Sequence, residues 1–170
     1  SFSKLTRVDV TLGPEMKSTG EVMGKDSTLE KALYKGLIGA GRKVPLHGSI
    51  LFTIDDVNKP EAAKLAKRFY DIGFKIWATR GTSRYFNELN IPTKIGYKIE
   101  EETENLISLI QKGKVQYVVN TTTKGKQSMN DGFLIRRTSV ENGVPCLTSM
   151  DTVEAMLKVI ESMTFKMEKM

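Results

Sequence analysis

Hydroxyl-bearing and small residues gather at three places in the chain: Thr79-Arg80-Gly81-Thr82-Ser83, Asn120-Thr121-Thr122-Thr123-Lys124-Gly125-Lys126 and Thr148-Ser149. Each follows a short apolar run and precedes a segment with helical spacing. A phosphate group binds well in such places. Backbone N–H groups and hydroxyls donate to its oxygens, and the positive end of the following helix favours its charge. Lys98, Lys124, Lys126, Arg80, Arg136 and Arg137 supply the cationic partners. Ser and Thr ahead of a helix often serve only as N-caps, but three such clusters at equivalent positions of one fold point to a ligand. Neither G-x-x-x-x-G-K-[ST] nor G-x-G-x-x-G occurs, so the loops form neither a P-loop nor a dinucleotide fingerprint.

Acid–base chemistry needs placed groups, and the second and fourth strand-end loops carry no Asp or Glu. Asp55 and Asp56 follow the first apolar run, and Asp151 follows Thr148-Ser149, where it reads as an N-cap. The loops are built to hold an anion more than to transform it. His47, the only histidine, stands at the N-terminal edge of the first strand and reads as structural. The single Cys146 excludes an internal disulfide and a cysteine-based metal site, and lies in a strand as a small buried hydrophobe. Trp77 reads as core. Arg136-Arg137 is by default a solvated helix face, with one of the two able to turn toward the ligand end.

The elements that must position these loops alternate from His47 onward. Strands are expected at 50–54, 75–78, 92–96, 115–119 and 144–147. Helices are expected over 61–72, 83–89, from a Thr103 cap to about Gly113, over 131–141 and over 152–162. Such alternation predicts a three-layer α/β domain, a Rossmann-like parallel sheet covered by helices on both faces, with ligands beyond the C-terminal strand ends. Before it, Val8 to Leu12 reads as a strand, 15–24 as a Gly-punctuated stretch, and the segment from Ser27 or Thr28 to about Ile38 as a helix. One strand and one helix close no core alone, so residues 1–44 read as an N-terminal extension or the end of another domain. The 170 residues suit one domain with an appendage. A hydrophobic share of 39% excludes a disordered chain, and a net charge of +6 permits an anionic partner without identifying one. No apolar run reaches the ~20 residues of a membrane span. Ser1-Phe2-Ser3-Lys4 lacks both a signal-peptide core and an initiator Met, which is expected of a chain processed or cut from something longer.

The stretch from Val8 to Gly24, Val-Asp-Val-Thr-Leu-Gly-Pro-Glu-Met-Lys-Ser-Thr-Gly-Glu-Val-Met-Gly, closely resembles the end of the second synthetase half of the carbamoyl-phosphate synthase large chain. The rest resembles the regulatory domain of that family, with its methylglyoxal-synthase-like fold. The resemblance divides the chain into the tail of an ATP-grasp domain (1–44) and an allosteric domain (45–170). It implies a non-catalytic cytoplasmic piece, with no cofactor of its own, of a ligase that uses ATP and Mg or Mn. That ligase works with a small glutaminase subunit and makes carbamoyl phosphate for pyrimidine and arginine synthesis. It implies a phosphorylated effector (UMP, IMP or PRPP), the remainder of the large chain and a second copy of the chain as partners, and neither nucleic acid nor membrane. In some members ornithine binds between this domain and its neighbours.

The family's Ala-Thr-x-Gly-Thr motif appears as Ala78 to Thr82, which would make Thr79, Gly81 and Thr82 phosphate ligands. Its lysine matches Lys98. Asn120-Thr121-Thr122 matches its Asn-Thr-Thr, with Asn120 and Thr121 toward the effector's base or sugar and Thr122 near the phosphate. Thr148-Ser149 matches its final Thr-Thr pair. Leu46 stands where many members carry a basic residue, so that contact is either missing or supplied by Lys43. Arg80 and Lys124 are further supplementary cations. Methylglyoxal synthase itself uses an Asp where this chain has Asn120, and an amide cannot act as a general base, so a lyase is the weaker alternative. A purine-pathway cyclohydrolase domain is weaker still, because of residues 8–24. A structural or oligomerisation module is the other alternative. Met156, Met163, Phe165 and Met167 would offer its surface, although their helical spacing is also that of core packing.

Overall fold

The computed structural model describes residues 29–33, 35, 44–98, 104–121 and 126–169. The strand expected at 8–12, the stretch 15–24, most of the helix expected to 38, the Thr103 cap, Lys43, Thr122 and Lys124 lie outside them. Five strands form one all-parallel sheet: β1 (Ser49–Thr53), β2 (Lys75–Ala78), β3 (Lys94–Ile95), β4 (Tyr117–Asn120) and β5 (Cys146–Leu147), in the order β3-β2-β1-β4-β5. The helices are α1 (Lys59–Asp71), α2 (Arg80–Glu88), α3 (Leu106–Gln111), α4 (Lys126–Glu141) and α5 (Met150–Lys169), with a 3-10 turn at Asp56–Asn58.

The apolar strand runs are buried on both faces, as parallel strands must be. Ile50 and Phe52 of β1, with Tyr117 and Val119 of β4, face one cluster with α1, α2 and α5. Leu51 and Val118 face the other, with Leu106 and Ile110 of α3 and Ile135 of α4. This division follows from right-handed crossovers. The chain winds outward one way from β1 to β3 and the other way from β4 to β5, so α1 and α2 cover one face while α3 and α4 cover the opposite one. Phe52 anchors the first cluster with edge-to-face contacts to Phe69 and Phe86 at 6.3 and 5.5 Å. Leu29, Ala32 and Leu33 of the helical segment 29–33 belong to that same cluster. Met156 is core and Met163 packs against it, whereas Phe165 and Met167 are exposed. Trp77 is half-buried at the edge of the second cluster, with the Lys94 ammonium 5.5 Å from its ring centre. No helix among the described residues is long and apolar enough to cross a membrane.

Helix starts differ most from expectation. Helix α2 begins at Arg80 rather than Ser83, because Thr79 is already extended and its carbonyl accepts from Ser83 N at 2.7 Å. Gly81, expected in a strand-end loop, lies inside the first helical turn. Helix α4 begins at Lys126 rather than 131, and α5 runs from Met150 to Lys169 rather than over 152–162. Asp151 lies inside the first turn of α5. The cap is Ser149, whose Oγ accepts from Thr152 N at 3.3 Å. Helix α3 is capped by Asn105 through a reciprocal capping box with Ser108. Gly73 and Gly113 end α1 and α3 with positive φ, as the sequence predicts.

Two buried acids make the fold sensitive to alkali. Burial pushes the Cys146 thiol up to about 12 from 9.0, against the nearby Arg136 charge and a hydrogen bond with Ser139. Burial likewise raises the Tyr117 hydroxyl, which donates to the Pro45 carbonyl at 2.7 Å. Both stay protonated in the fold and ionise earlier in the unfolded chain. Their stabilisation is therefore complete below the unfolded value and declines as pH rises through the window up to the folded one. Urea denaturation is expected to show stability falling above about pH 9 by up to ~1.4 kcal/mol per pH unit for each group. Cys146→Val is expected to flatten the first part of that decline.

Candidate functional site

The direction of winding reverses between β1 and β4, and their C-terminal ends lie side by side, with Thr53 opposite Asn120 in register. Parallel α/β sheets open a crevice at such a switch point. Here it is an open cleft of about 340 Å³ lined by Thr53 to Asp55 after β1, Thr79 to Gly81 after β2, Gly96 and Lys98 after β3, Asn120 and Thr121 at β4, and Asp131, Gly132 and Ile135 of α4. Loops far apart in sequence converge because all five strands point the same way.

The N-terminus of α2 forms one wall. Thr79 sits at its cap position but makes no capping hydrogen bond through its side chain, and the first-turn N–H groups of a helix have no intrahelical acceptor. Thr79 Oγ1 instead donates to Thr82 Oγ1 at 3.2 Å, and Thr82 Oγ1 to the Ile54 carbonyl at 3.4 Å. Both are long for O–H···O bonds, so these hydroxyls are cheap to redirect. Thr82 is almost fully buried inside α2 and braces Thr79 from behind rather than lining the cleft. The Arg80 guanidinium lies 5.0 Å from the centre of the Tyr97 ring, which holds this exposed cation at the rim by a cation–π contact. Lys98 lines the same cleft and is exposed.

The floor is a polar network. Thr121 Oγ1 donates to Asp55 Oδ1 at 2.8 Å and accepts from Asp55 N at 2.9 Å, and Asn58 Nδ2 donates to the same carboxylate at 2.6 Å. Asn120 Nδ2 donates to Thr53 Oγ1 at 2.6 Å, and Arg136 Nη1 donates to Asn120 Oδ1 at 3.0 Å. Arg136 is thus the arginine of the pair that turns toward the cleft, while Arg137 stays outside and pairs with Glu141 at 3.3 Å.

Thr148 and Ser149 line a neighbouring polar hollow of about 240 Å³ with Asn58, Glu61, Thr121, Met150 and Asp151. Thr121 is common to both hollows. Thr148 Oγ1 is buried without a hydrogen-bond partner, whereas Ser149 Oγ is engaged with Thr152 Oγ1 at 2.8 Å. His47 is exposed at the opposite, N-terminal edge of the sheet, and Cys146 is buried in β5.

Three further groups at the cleft fall outside the ligand set expected from sequence. Lys59 opens α1, next to a proline in its first turn, and a cation at the positive end of a helix is disfavoured by the dipole. That misplaced charge is the sequence signal. Its Nζ pairs with Asp56 at 2.6 Å, holding that exposed carboxyl below its usual range, and would stand 3.3 Å from a Cβ on Gly81. Asp55 and Asp131 bring two carboxylates to the cleft. Asp131 lies past the first turn of α4, on the side that faces the cleft.

The MGS-like domain family model matches residues 61–148, more than half of the chain. The chain belongs to the MGS-like domain family. The matched stretch runs from the first turn of α1 to Thr148 and contains every cleft-lining residue except those after β1. The MGS-like fold of this chain is thus the frame on which the cleft is built.

Thr121→Val keeps the shape but removes the hydroxyl that joins β4 to Asp55. It is expected to lower stability by roughly 1–3 kcal/mol, the cost of an unpaired buried group. Urea denaturation would read this as a lower midpoint at unchanged slope.

Proposed function

We propose that the cleft binds the phosphate of a small effector, UMP, IMP or PRPP. We further propose that the chain is the regulatory C-terminal region of a glutamine-dependent carbamoyl-phosphate synthase large chain. The observation that carries the first part is the uncapped N-terminus of α2, opening into a switch-point cleft beside Thr79, Arg80 and Lys98. Asn105 and Ser149 cap α3 and α5 through their side chains, whereas Asn58 of α1 and Thr79 of α2 make no such bond, and of these two it is the α2 start that lines the switch-point cleft. Membership of the MGS-like family supports the regulatory reading. The resemblance of residues 8–24 to a synthetase terminus supports the parent enzyme, with its ATP, Mg or Mn, glutaminase subunit and cytoplasmic setting. In this scheme the phosphate takes the α2 amides, the Thr79 hydroxyl and the charge of Lys98, with Arg80 and Lys59 as flanking cations. Thr122, Lys124 and Lys43 stand in the proposal from the sequence alone. Asn120 and Thr121 face the sugar or base, and Thr148-Ser149 extend the site into the second hollow. Control of the synthetase follows if the effector binds two docked states of this domain with different affinity.

Isothermal titration with UMP, IMP, PRPP and inorganic phosphate is expected to show one of the organic phosphates binding much more tightly than phosphate. In Lys98→Ala that ligand should bind roughly ten- to a hundredfold more weakly, because hydrogen bonds to charged groups contribute about 1.5–3 kcal/mol. Equal affinity in wild type and variant would remove Lys98 from the site.

Asp55 and Asp131 favour a second reading, a methylglyoxal-synthase-like lyase using a cleft carboxylate as base. Asp55 is already engaged by Thr121 and Asn58, which both donate to its Oδ1 and hold that carboxylate in the floor network. The regulatory reading therefore expects no methylglyoxal from dihydroxyacetone phosphate. Release that is abolished in Asp131→Asn or Asp55→Asn would establish the lyase instead.

A further inference from the structure

The Asn120 carboxamide is gripped at both ends by groups whose own protons decide its orientation. Thr53 Oγ1 spends its single hydrogen on the Val119 carbonyl at 3.1 Å, so toward Asn120 it can only accept. Arg136 Nη1 can only donate, and it lies 3.0 Å from the other end of the amide. The two constraints agree: nitrogen toward Thr53, oxygen toward Arg136. One of the two Asn120 N–H groups is thereby engaged. Asn120 is 4% exposed and lines the cleft, so the second N–H is a donor set in its floor. Gly132 makes the grip fit. A Cβ there would stand 3.1 Å from Arg136 Nη1 and 3.3 Å from Asn120 Oδ1. Glycine inside a helix is destabilising relative to alanine, and here it leaves the guanidinium its path.

We propose that Arg136 is a positioning residue that sets the selectivity of the cleft. By holding the Asn120 oxygen, it presents the second Asn120 N–H as a donor. Among phosphorylated ligands the cleft then prefers one with an acceptor oxygen beyond the phosphate, a base carbonyl or a sugar hydroxyl. The proposal rests on the phosphate-effector reading above. The guanidinium charge also polarises the amide and strengthens its remaining donor. Lysine at this position keeps a charge and a donor without the planar fork, and methionine keeps neither.

The test compares dissociation constants for UMP and inorganic phosphate in wild type, Arg136→Met, Arg136→Lys, Asn120→Ala and the double variant Asn120→Ala/Arg136→Met. Arg136→Met should lose about three- to tenfold of the preference for UMP, the worth of one hydrogen bond, with phosphate affinity unchanged. Arg136→Lys should keep most of the preference, and Arg136→Met should add nothing once Asn120 is alanine. A preference that survives Arg136→Met overturns the proposal. So does a parallel fall in phosphate affinity, which would make Arg136 a direct phosphate ligand. If Arg136→Met fails to fold, Gly132→Ala crowds the guanidinium without removing its charge and should lose the same preference; a folded Gly132→Ala with full preference also overturns it. A wild type with no preference for UMP over phosphate overturns the effector reading together with this one, whereas a wild-type preference insensitive to residue 136 overturns this one alone.

Discussion

Parallel pairing of β1 with β4 is the constraint on which the rest of the molecule depends. These two strands are adjacent in the sheet but separated in sequence by two other strands and three helices. Right-handed connections allow that order only if the helices before and after the reversal cover opposite faces. No crossover helix then covers the gap at the C-terminal ends of β1 and β4. The register that sets Thr53 opposite Asn120 fills the bottom of that gap with hydroxyl and amide groups. The two apolar clusters on either side hold the register, because a one-residue slip would exchange Leu51 with its neighbours Ile50 and Phe52 between the faces.

The cleft's chemistry follows from how helix ends are satisfied. Asn105 and Ser149 cap their helices from the side chain, which removes backbone donors from competition. Thr79 does not, and its hydroxyl makes only long contacts. A helix start beside cations favours an anion, because the dipole and the charges act together. The cations are partly restrained before any ligand arrives, Arg80 over Tyr97 and Lys59 on Asp56, so less side-chain entropy is lost on binding. Asp55 and Asp131 temper the positive field.

The strands, the helices on both faces and the polar loops at the strand ends are legible in the sequence because their signals are local. Burial on both faces makes β1 and β4 short apolar runs, and glycines such as Gly73 and Gly113 mark the helix ends. The start of α2 differs from expectation for a physical reason. A glycine in a first turn, as at Gly81, looks like a loop residue when its neighbours are not known to be helical. That shift matters for the site, since it moves Thr82 behind the cleft wall.

Sequence by itself determined the parallel α/β class, the burial of Cys146 and the candidacy of Thr79, Arg80, Gly81, Lys98, Asn120 and Thr121, since periodicity and turn chemistry act over a few residues. Tertiary structure alone decided which of these share one cleft, that Thr148 and Ser149 line the adjoining hollow, and that Lys59, Asp55 and Arg136 join the site. Those relations depend on strand order and on hydrogen bonds between residues as far apart as Asp55 and Thr121. A pattern of near neighbours along the chain carries no information about which strand ends will meet.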